Sequence, residues 1–198
     1  MAADLAAILL EAQTRGLVGP RDVPWHITHA ERYMAHLPRN AHCLDLGSGG
    51  GLPGLPVAIA RPDLVLDLVD ARDRSVQWLR LAVGRLELDD RVHVVHSRAE
   101  SLPERYAGAA DVVMARGFGP PSDLAECAAP LLRTGGRLVV SAADAGEEWP
   151  ADGLALLGFG PARIMLDDLG AIVVTVLGSP CGPDFPRRPK ARMAKPLW

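Results

Sequence analysis

The sequence predicts an α/β fold: a mostly parallel, seven-stranded sheet with helices on both faces, closed by a C-terminal antiparallel hairpin. Three observations carry that expectation. Apolar runs of strand length alternate with segments of helical periodicity through five units after residue 41. The first of these runs leads into a glycine-rich turn, in the stretch Ala-His-Cys-Leu-Asp-Leu-Gly-Ser-Gly-Gly-Gly-Leu-Pro-Gly from Ala41 to Gly54. The last two runs are separated only by Asp167-Asp168-Leu169-Gly170, a connection too short for a parallel crossover, so they pair antiparallel.

Taken in order, Leu5, Ile8, Leu9 and Ala12 follow helical spacing and predict a helix over Ala2 to Thr14, ended by Gly16, Gly19 and Pro20. A second helical stretch runs from about Trp25 to His36 and stops before Pro38. His42 to Leu46 is the first strand, and the helix after the glycines must take Pro53 or Pro56 in its first turn. Leu64 to Val69 is the second strand, ending in Asp70; Val76, Leu79, Val83 and Leu86 mark the face of the next helix. Val92 to His96 is the third strand, followed by a short helix around Glu100 to Tyr106. Asp111 to Ala115 is the fourth, and Ser122 or Asp123 caps a helix reaching Leu132. Gly135 and Gly136 turn into a fifth strand, Arg137 to Ser141. A helix near Ala151 to Leu157 precedes the hairpin, Pro161 to Leu166 and Ala171 to Leu177.

At 198 residues, 48% hydrophobic and 23% charged, the chain suits one globular domain, which weighs against a two-domain dehydrogenase. Three parts are expected: a helical N-terminal segment (1–40), the ligand-binding domain (41–178) and a basic, proline-rich tail (179–198). The net charge of −3 conceals an asymmetry, since the tail carries five basic residues against Asp184 alone. That is +4 on the tail and −7 on the rest, the pattern of a phosphate-contacting arm or of a solvated tail. Prolines 183, 186, 189 and 196 predict an extended tail with its basic side chains free. Cys43, Cys127 and Cys181 form no Cys-x-x-Cys pair, and the six histidines show no metal-ligand spacing. Met1 to Leu10 has no basic leader region and carries Asp4, so a cytoplasmic protein without a membrane partner is expected; a monomer without a metal is expected as well.

The chemistry centres on the glycine turn. A strand, glycines at Gly47, Gly49 and Gly51, and a helix N-terminus let backbone approach a nucleoside closely, with Ser48 between them. Gly49-x-Gly51-x-x-Gly54 also satisfies a dinucleotide fingerprint, so glycines alone do not choose the cofactor. Asp70, ending the second strand 23 residues after Gly47, can accept hydrogen bonds from ribose hydroxyls or cap the next helix. Arg116, just past the fourth strand, should face a ligand at the carboxyl ends of the strands, or else form a surface ion pair. No nucleophile–base pair stands out. His29 and His36 read as ordinary helix residues.

Asp-x-Gly-x-Gly-x-Gly, with Asp45 before the glycines, resembles the first motif of Rossmann-like class I methyltransferases that use S-adenosyl-L-methionine. The longer stretch Asp-Leu-Gly-Ser-Gly-Gly-Gly-Leu-Pro-Gly-Leu-Pro, followed by Ala-Arg-Pro-Asp, resembles the RsmG (GidB) family. Similarity continues through Leu68-Val69-Asp70, Ser97-Arg98-Ala99-Glu100, residues 111–116 and Pro130 to Arg137, and more faintly in the tail and in Arg15 to Val23. The resemblance implies transfer of a methyl group to N7 of a guanine in 16S ribosomal RNA of the small subunit. It implies that Gly47, Leu52, Ala99, Glu100 and Arg116 contact the cofactor. It makes His29, in the stretch matching the family's N-terminal helix, and Arg187, Arg188 and Lys190 of the tail candidates for the RNA side. Catalysis would be by positioning, with Arg116 the one candidate side chain, because guanine N7 needs alignment rather than a base.

The departures lie on the acceptor side. The family's Arg-His-Leu-Leu-Asp-Ser helix is at best Thr28 to Tyr33 here, its Ser-Arg-Ala is Ala115-Arg116-Gly117, and Ser141-Ala142-Ala143 replaces its Leu-Lys-Gly. A divergent relative acting on a small molecule or another RNA is therefore the alternative. An RNA-binding module that holds the cofactor without turning it over is a third reading, and a nicotinamide oxidoreductase a distant fourth.

Overall fold

The computed structural model describes residues 2–102, 106–142 and 148–198, with side chains from Leu5 onward. In chain order the elements are α1 (Ala2–Thr14), α2 (Val23–Met34), β1 (His42–Leu46), α3 (Gly54–Ala60), β2 (Val65–Asp70), α4 (Asp73–Arg85) and β3 (Val92–His96). They continue with β4 (Ala110–Arg116), α5 (Pro121–Ala128), β5 (Leu132–Ala142), α6 (Ala151–Leu156), β6 (Arg163–Asp167), β7 (Gly170–Val176) and α7 (Pro189–Ala194). The sheet order is β3-β2-β1-β4-β5-β7-β6. β1 pairs parallel with both β2 and β4, while β7 runs antiparallel between β5 and β6. The strand order reverses at β1, and the crevice outside the carboxyl ends of β1 and β4 is where an open α/β sheet binds ligands.

Both faces of the central strands are covered, since neighbouring apolar residues there face opposite cores. Cys43, Leu66, Leu68, Met114, Val139 and Ile172 pack one core with Leu5, Ile8, Leu9, Leu55 and Leu79 of the helices. Their strand neighbours Leu44, Val69, Val113, Leu138 and Val173 pack the other with Leu124, Leu131, Leu154 and Phe159. Burial of both faces is what makes the central strands read as continuous apolar runs.

Most element positions match the sequence expectation, and four differ for identifiable reasons. α2 starts at Val23, because the Asp22 carboxylate accepts from the Trp25 N–H (2.9 Å) and Pro24 fits the first turn. α5 starts at Pro121 with no side-chain cap, so neither Ser122 nor Asp123 caps it, and it ends at Ala128. β5 runs through the glycines instead of starting after them. Gly135 (φ +83°) and Gly136, whose absent Cβ would lie 2.8 Å from the Arg133 carbonyl, absorb a register shift opposite Ala110 and Val112. The fourth difference is the tail, which forms α7 rather than remaining extended. Pro189 sits in its first turn, where a missing N–H leaves nothing unpaired. Between the helices, Pro53 takes the N-cap position of α3 and Pro56 falls inside its first turn. The helix expected around Glu100 to Tyr106 is represented by a 3-10 turn at Ala99–Ser101; residues 103–105 lie outside the described set.

The tail is bound to the body. Arg187 pairs with Glu126 of α5 (Nη2 to Oε2 2.7 Å), whose carboxylate is buried, and Arg192 Nη1 donates to the Arg187 carbonyl (2.7 Å). Trp198 Nε1 donates to the Glu148 carbonyl (2.9 Å), and the Trp198 ring covers the space a side chain at Gly153 would need. The expectation of free basic side chains is thus corrected at Arg187 and Arg192, and holds for exposed Arg188 and Lys190.

Candidate functional site

The glycine turn is fixed mainly by backbone bonds. Gly47 and Ser48 N–H groups both donate to the Val69 carbonyl (2.8 and 3.0 Å), tying the end of β1 to the end of β2. Ser48 Oγ donates back to the Asp45 carbonyl (2.8 Å). Gly47 has φ +73°, which favours glycine, and its absent Cβ would lie 3.3 Å from the Phe118 ring. At the far end, the fully buried Asp45 carboxyl accepts from the Gly54 N–H (3.1 Å), fixing the N-terminus of α3. A side chain at Gly54 would run into Leu68 and stand 2.7 Å from Asp45 Oδ2. Burial pushes the Asp45 carboxyl up to about 7.

Beside this turn lies a cleft of about 340 Å³, lined by Gly47, Asp70, Arg98, Ala99, Glu100 and Phe118 among others. Asp70 accepts from the Gly49 N–H (2.9 Å) with one oxygen and from the Arg72 N–H (2.9 Å) with the other. A cleft-facing position and a cap-like bond therefore coexist: Asp70 holds the glycine turn against β2 while lining the cleft. A smaller cleft of about 160 Å³ opens over the turn itself, between Gly47, Ser48, Gly49 and Leu52 on one side and Leu17 to Gly19 and Arg116 on the other. Gly51 lines neither; its Cβ position is filled by Leu55.

A third and larger cleft, about 510 Å³, adjoins the first two along Arg116, Gly117 and Phe118. Trp25 and His29 of α2, Phe118, Trp149 and the β6–β7 turn form its walls, with Arg21 at the side. α2 is held there by Tyr33, whose hydroxyl donates to the Ala115 carbonyl (2.8 Å) and accepts from the Ser141 N–H (2.9 Å), spanning the ends of β4 and β5. Arg32 adds a bond to the Gly170 carbonyl (2.8 Å) and an ion pair with Asp167 (3.0 Å). His29 stacks on Trp25 at 4.9 Å, and burial, aided by the Arg116 charge, lowers its pKa to about 4. Arg21 lies over the Trp25 ring at 5.2 Å.

Arg116 is the unusual group. Its guanidinium is largely buried; Nη2 donates to His26 Nδ1 (3.1 Å), and among the described residues no carboxylate bonds it and Nη1 is buried without a partner. Burial lowers its pKa from the ordinary arginine value. Among the described residues there is no cluster of three potential metal ligands, and no helix is long and apolar enough to cross a membrane.

The GidB family model, described as rRNA small subunit methyltransferase G, matches residues 3–152. The chain belongs to this family. The ribosomal RNA small subunit methyltransferase G of Kineococcus radiotolerans is 40% identical over 151 residues, covering 74% of this chain and 59% of that protein. The proteins of the same name in Salinispora tropica and Corynebacterium diphtheriae are 37% and 33% identical, over 84% and 82% of this chain and 73% and 75% of theirs. The match to the Kineococcus protein thus spans somewhat less than two thirds of that relative's length. Among solved structures, a Methanococcus maripaludis protein assigned as an S-adenosyl-L-methionine-dependent methyltransferase superposes with TM-score 0.65 at 16% identity, over 79% of this chain and 86% of that one. The S-adenosylmethionine-dependent methyltransferase SibL gives 0.60 at 16%, over 77% and 54%. The fold is therefore that of class I methyltransferases, and the cofactor of this class is S-adenosyl-L-methionine.

The residues present suit that cofactor. The turn approaches the cleft with a glycine where a side chain would meet Phe118, Asp70 presents an acceptor, and Arg116 offers an unpaired cation. Of the sequence candidates, Gly47, Asp70, Ala99 and Glu100 meet in one cleft; Ser48, Gly49, Leu52 and Arg116 meet over the turn; His29 joins Arg116 in the aromatic cleft. Arg187, Arg188 and Lys190 line none of the three. Sequence reasoning missed Arg21, Trp25, His26, Phe118 and Trp149. Aromatic residues were the available signal, but nothing local marks them as sharing a wall.

Proposed function

We propose that this protein transfers the methyl group of S-adenosyl-L-methionine to N7 of a guanine in 16S ribosomal RNA. The observation that carries the reading is the common wall formed by Gly117 and Phe118, which line both the cleft beside the glycine turn and the aromatic cleft. Asp70 would accept from the ribose hydroxyls, Ala99 and Glu100 would border the adenine, and Gly47 would let the backbone approach. Arg116 would receive the carboxylate at the amino-acid end. The cofactor, when bound, supplies a methyl group already activated by its sulfonium. Trp25, Phe118 and Trp149 line the aromatic cleft, and aromatic side chains are the usual company of a base that has left its stack for chemistry. His29, neutral at pH 7, adds a polar edge without another positive charge beside Arg116. Guanine N7 carries a free lone pair, so the residues need only orient it and exclude water, and rate comes from proximity. Arg21 at the cleft and the exposed Arg188 and Lys190 are the candidate phosphate contacts.

One observation favours the alternative, a small-molecule acceptor: Arg187 is engaged by Glu126 rather than free for RNA. Purified protein with labelled cofactor, given small subunits lacking the modification and, separately, a metabolite extract, decides between them. Label in 7-methylguanine of 16S rRNA is the expected result. Label only in the extract transfers the proposal to the small molecule, and none in either overturns methyl transfer.

A further inference from the structure

His26 has no part in the reaction outlined above, yet it is buried between two segments that build the site. Its Nε2 lies 3.1 Å from the Gly19 carbonyl oxygen, in the loop whose Leu17 and Val18 cover the glycine turn. Its Nδ1 lies 3.1 Å from Arg116 Nη2. A carbonyl oxygen can only accept, so Nε2 must carry the proton. A guanidinium can only donate, so Nδ1 must offer its lone pair. Both demands are met by one species, the neutral Nε2–H tautomer, and burial favours the neutral ring. The second Arg116 nitrogen, Nη1, is left buried and unpaired, and Arg116 lines the small cleft with Ser48, Gly49 and Leu52. A buried arginine bonded to a neutral acceptor keeps its full charge available, whereas a carboxylate partner would neutralise it.

We infer that His26 is a positioning residue that holds Arg116 over the glycine turn, uncompensated, to receive the carboxylate of the cofactor's amino-acid end. The inference rests on the methyl-donor reading above and adds the residue that prepares the receptor. It also makes the covering loop and the carboxylate receptor one unit, since the same ring bonds Gly19 and Arg116.

His26 also packs edge-on against the Trp25 ring, with centroids 5.3 Å apart, and two ligands separate the positioning role from that packing. S-adenosyl-L-homocysteine carries the amino-acid end, and 5′-methylthioadenosine lacks it. Calorimetric titration of the unmutated protein should show tighter binding of the first. His26→Gln keeps a donor near Nε2 but loses the acceptor at Nδ1; it should weaken S-adenosyl-L-homocysteine about ten-fold, the worth of one charge-assisted hydrogen bond, and leave 5′-methylthioadenosine unchanged. His26→Asn places an amide oxygen near Nδ1 and should restore most of the difference. Equal weakening of both ligands, or of neither, overturns the inference. Nitrogen–proton NMR of the unmutated protein reads the tautomer independently of any variant's folding: Nε2–H is expected, and Nδ1–H overturns the proposal. A protein that binds neither ligand while showing the Nε2–H tautomer refutes the methyl-donor reading itself.

Discussion

The cleft beside the glycine turn and the aromatic cleft share a wall but are built in opposite ways. The first is organised on the glycine turn, fixed by the bonds from Gly47 and Ser48 to the Val69 carbonyl and from Gly49 to the Asp70 carboxylate, with its lining taken from strand ends between Gly47 and Phe118. The second is made of side chains from α2, the β4–α5 loop, the end of β5, Trp149 and the β6–β7 turn, segments spread over some three quarters of the chain. Its shape depends on how helices seat on the sheet, above all on Tyr33. The backbone cradle is tied across two strand ends by the bonds from Gly47 and Ser48 to Val69. An assembled pocket is only as fixed as the contacts that hold its pieces.

The sharpest test of the backbone half is Gly54→Ala. The added methyl has no free space between Leu68 and Asp45, so overpacking should destabilise the fold by about 3 kcal/mol, read from the midpoint of urea unfolding at unchanged slope. A loss under ~0.5 kcal/mol would mean that the turn yields and the contrast is overstated.

The matching test of the assembled half is Tyr33→Phe. The Ala115 carbonyl and Ser141 N–H each lose their bond to the hydroxyl, for a total of about 2 kcal/mol. The contrast further requires that S-adenosyl-L-homocysteine affinity stay within about two-fold while the KM for the methyl acceptor rises. Equal losses on both sides would show that the two clefts are not separable.

A third test distinguishes the halves by the sign of a pH dependence. Asp45, with a native pKa near 7, keeps its proton where the unfolded chain has lost it, so its contribution to stability falls as pH rises from about 4 to 7. His29, with a native pKa near 4, stays neutral where the unfolded chain takes up a proton, so its contribution falls as pH drops from about 6.5 to 4. In the window between about 4 and 6.5 the two oppose each other, each by at most about 1.4 kcal/mol per pH unit. Asp45→Asn should therefore reveal stability rising with pH across that window, and His29→Asn stability falling with it, both by denaturant unfolding in a pH series. The same slope in both variants would refute the assignment.

The sequence by itself determined the alternating strands and helices, the glycine turn, the antiparallel hairpin and the family. Each is a local signal: a period of two or 3.6, a short connection, or a contiguous motif whose backbone demands only particular residues can meet. The tertiary structure alone decided that Gly135 and Gly136 form a bulge within β5 rather than a turn before it, because that depends on the register against β4. It likewise decided that Arg187 braces Glu126, a residue 61 positions away, when charge and prolines alone suggested a free arm. Tyr33, Trp25 and His26 gave no sign of their partners, since a helix periodicity shows which face is buried and not what it is buried against. Local rules follow from bonded geometry and are written residue by residue. Partners distant in sequence are set by how faces pack once the chain has closed, and only the assembled fold contains that information.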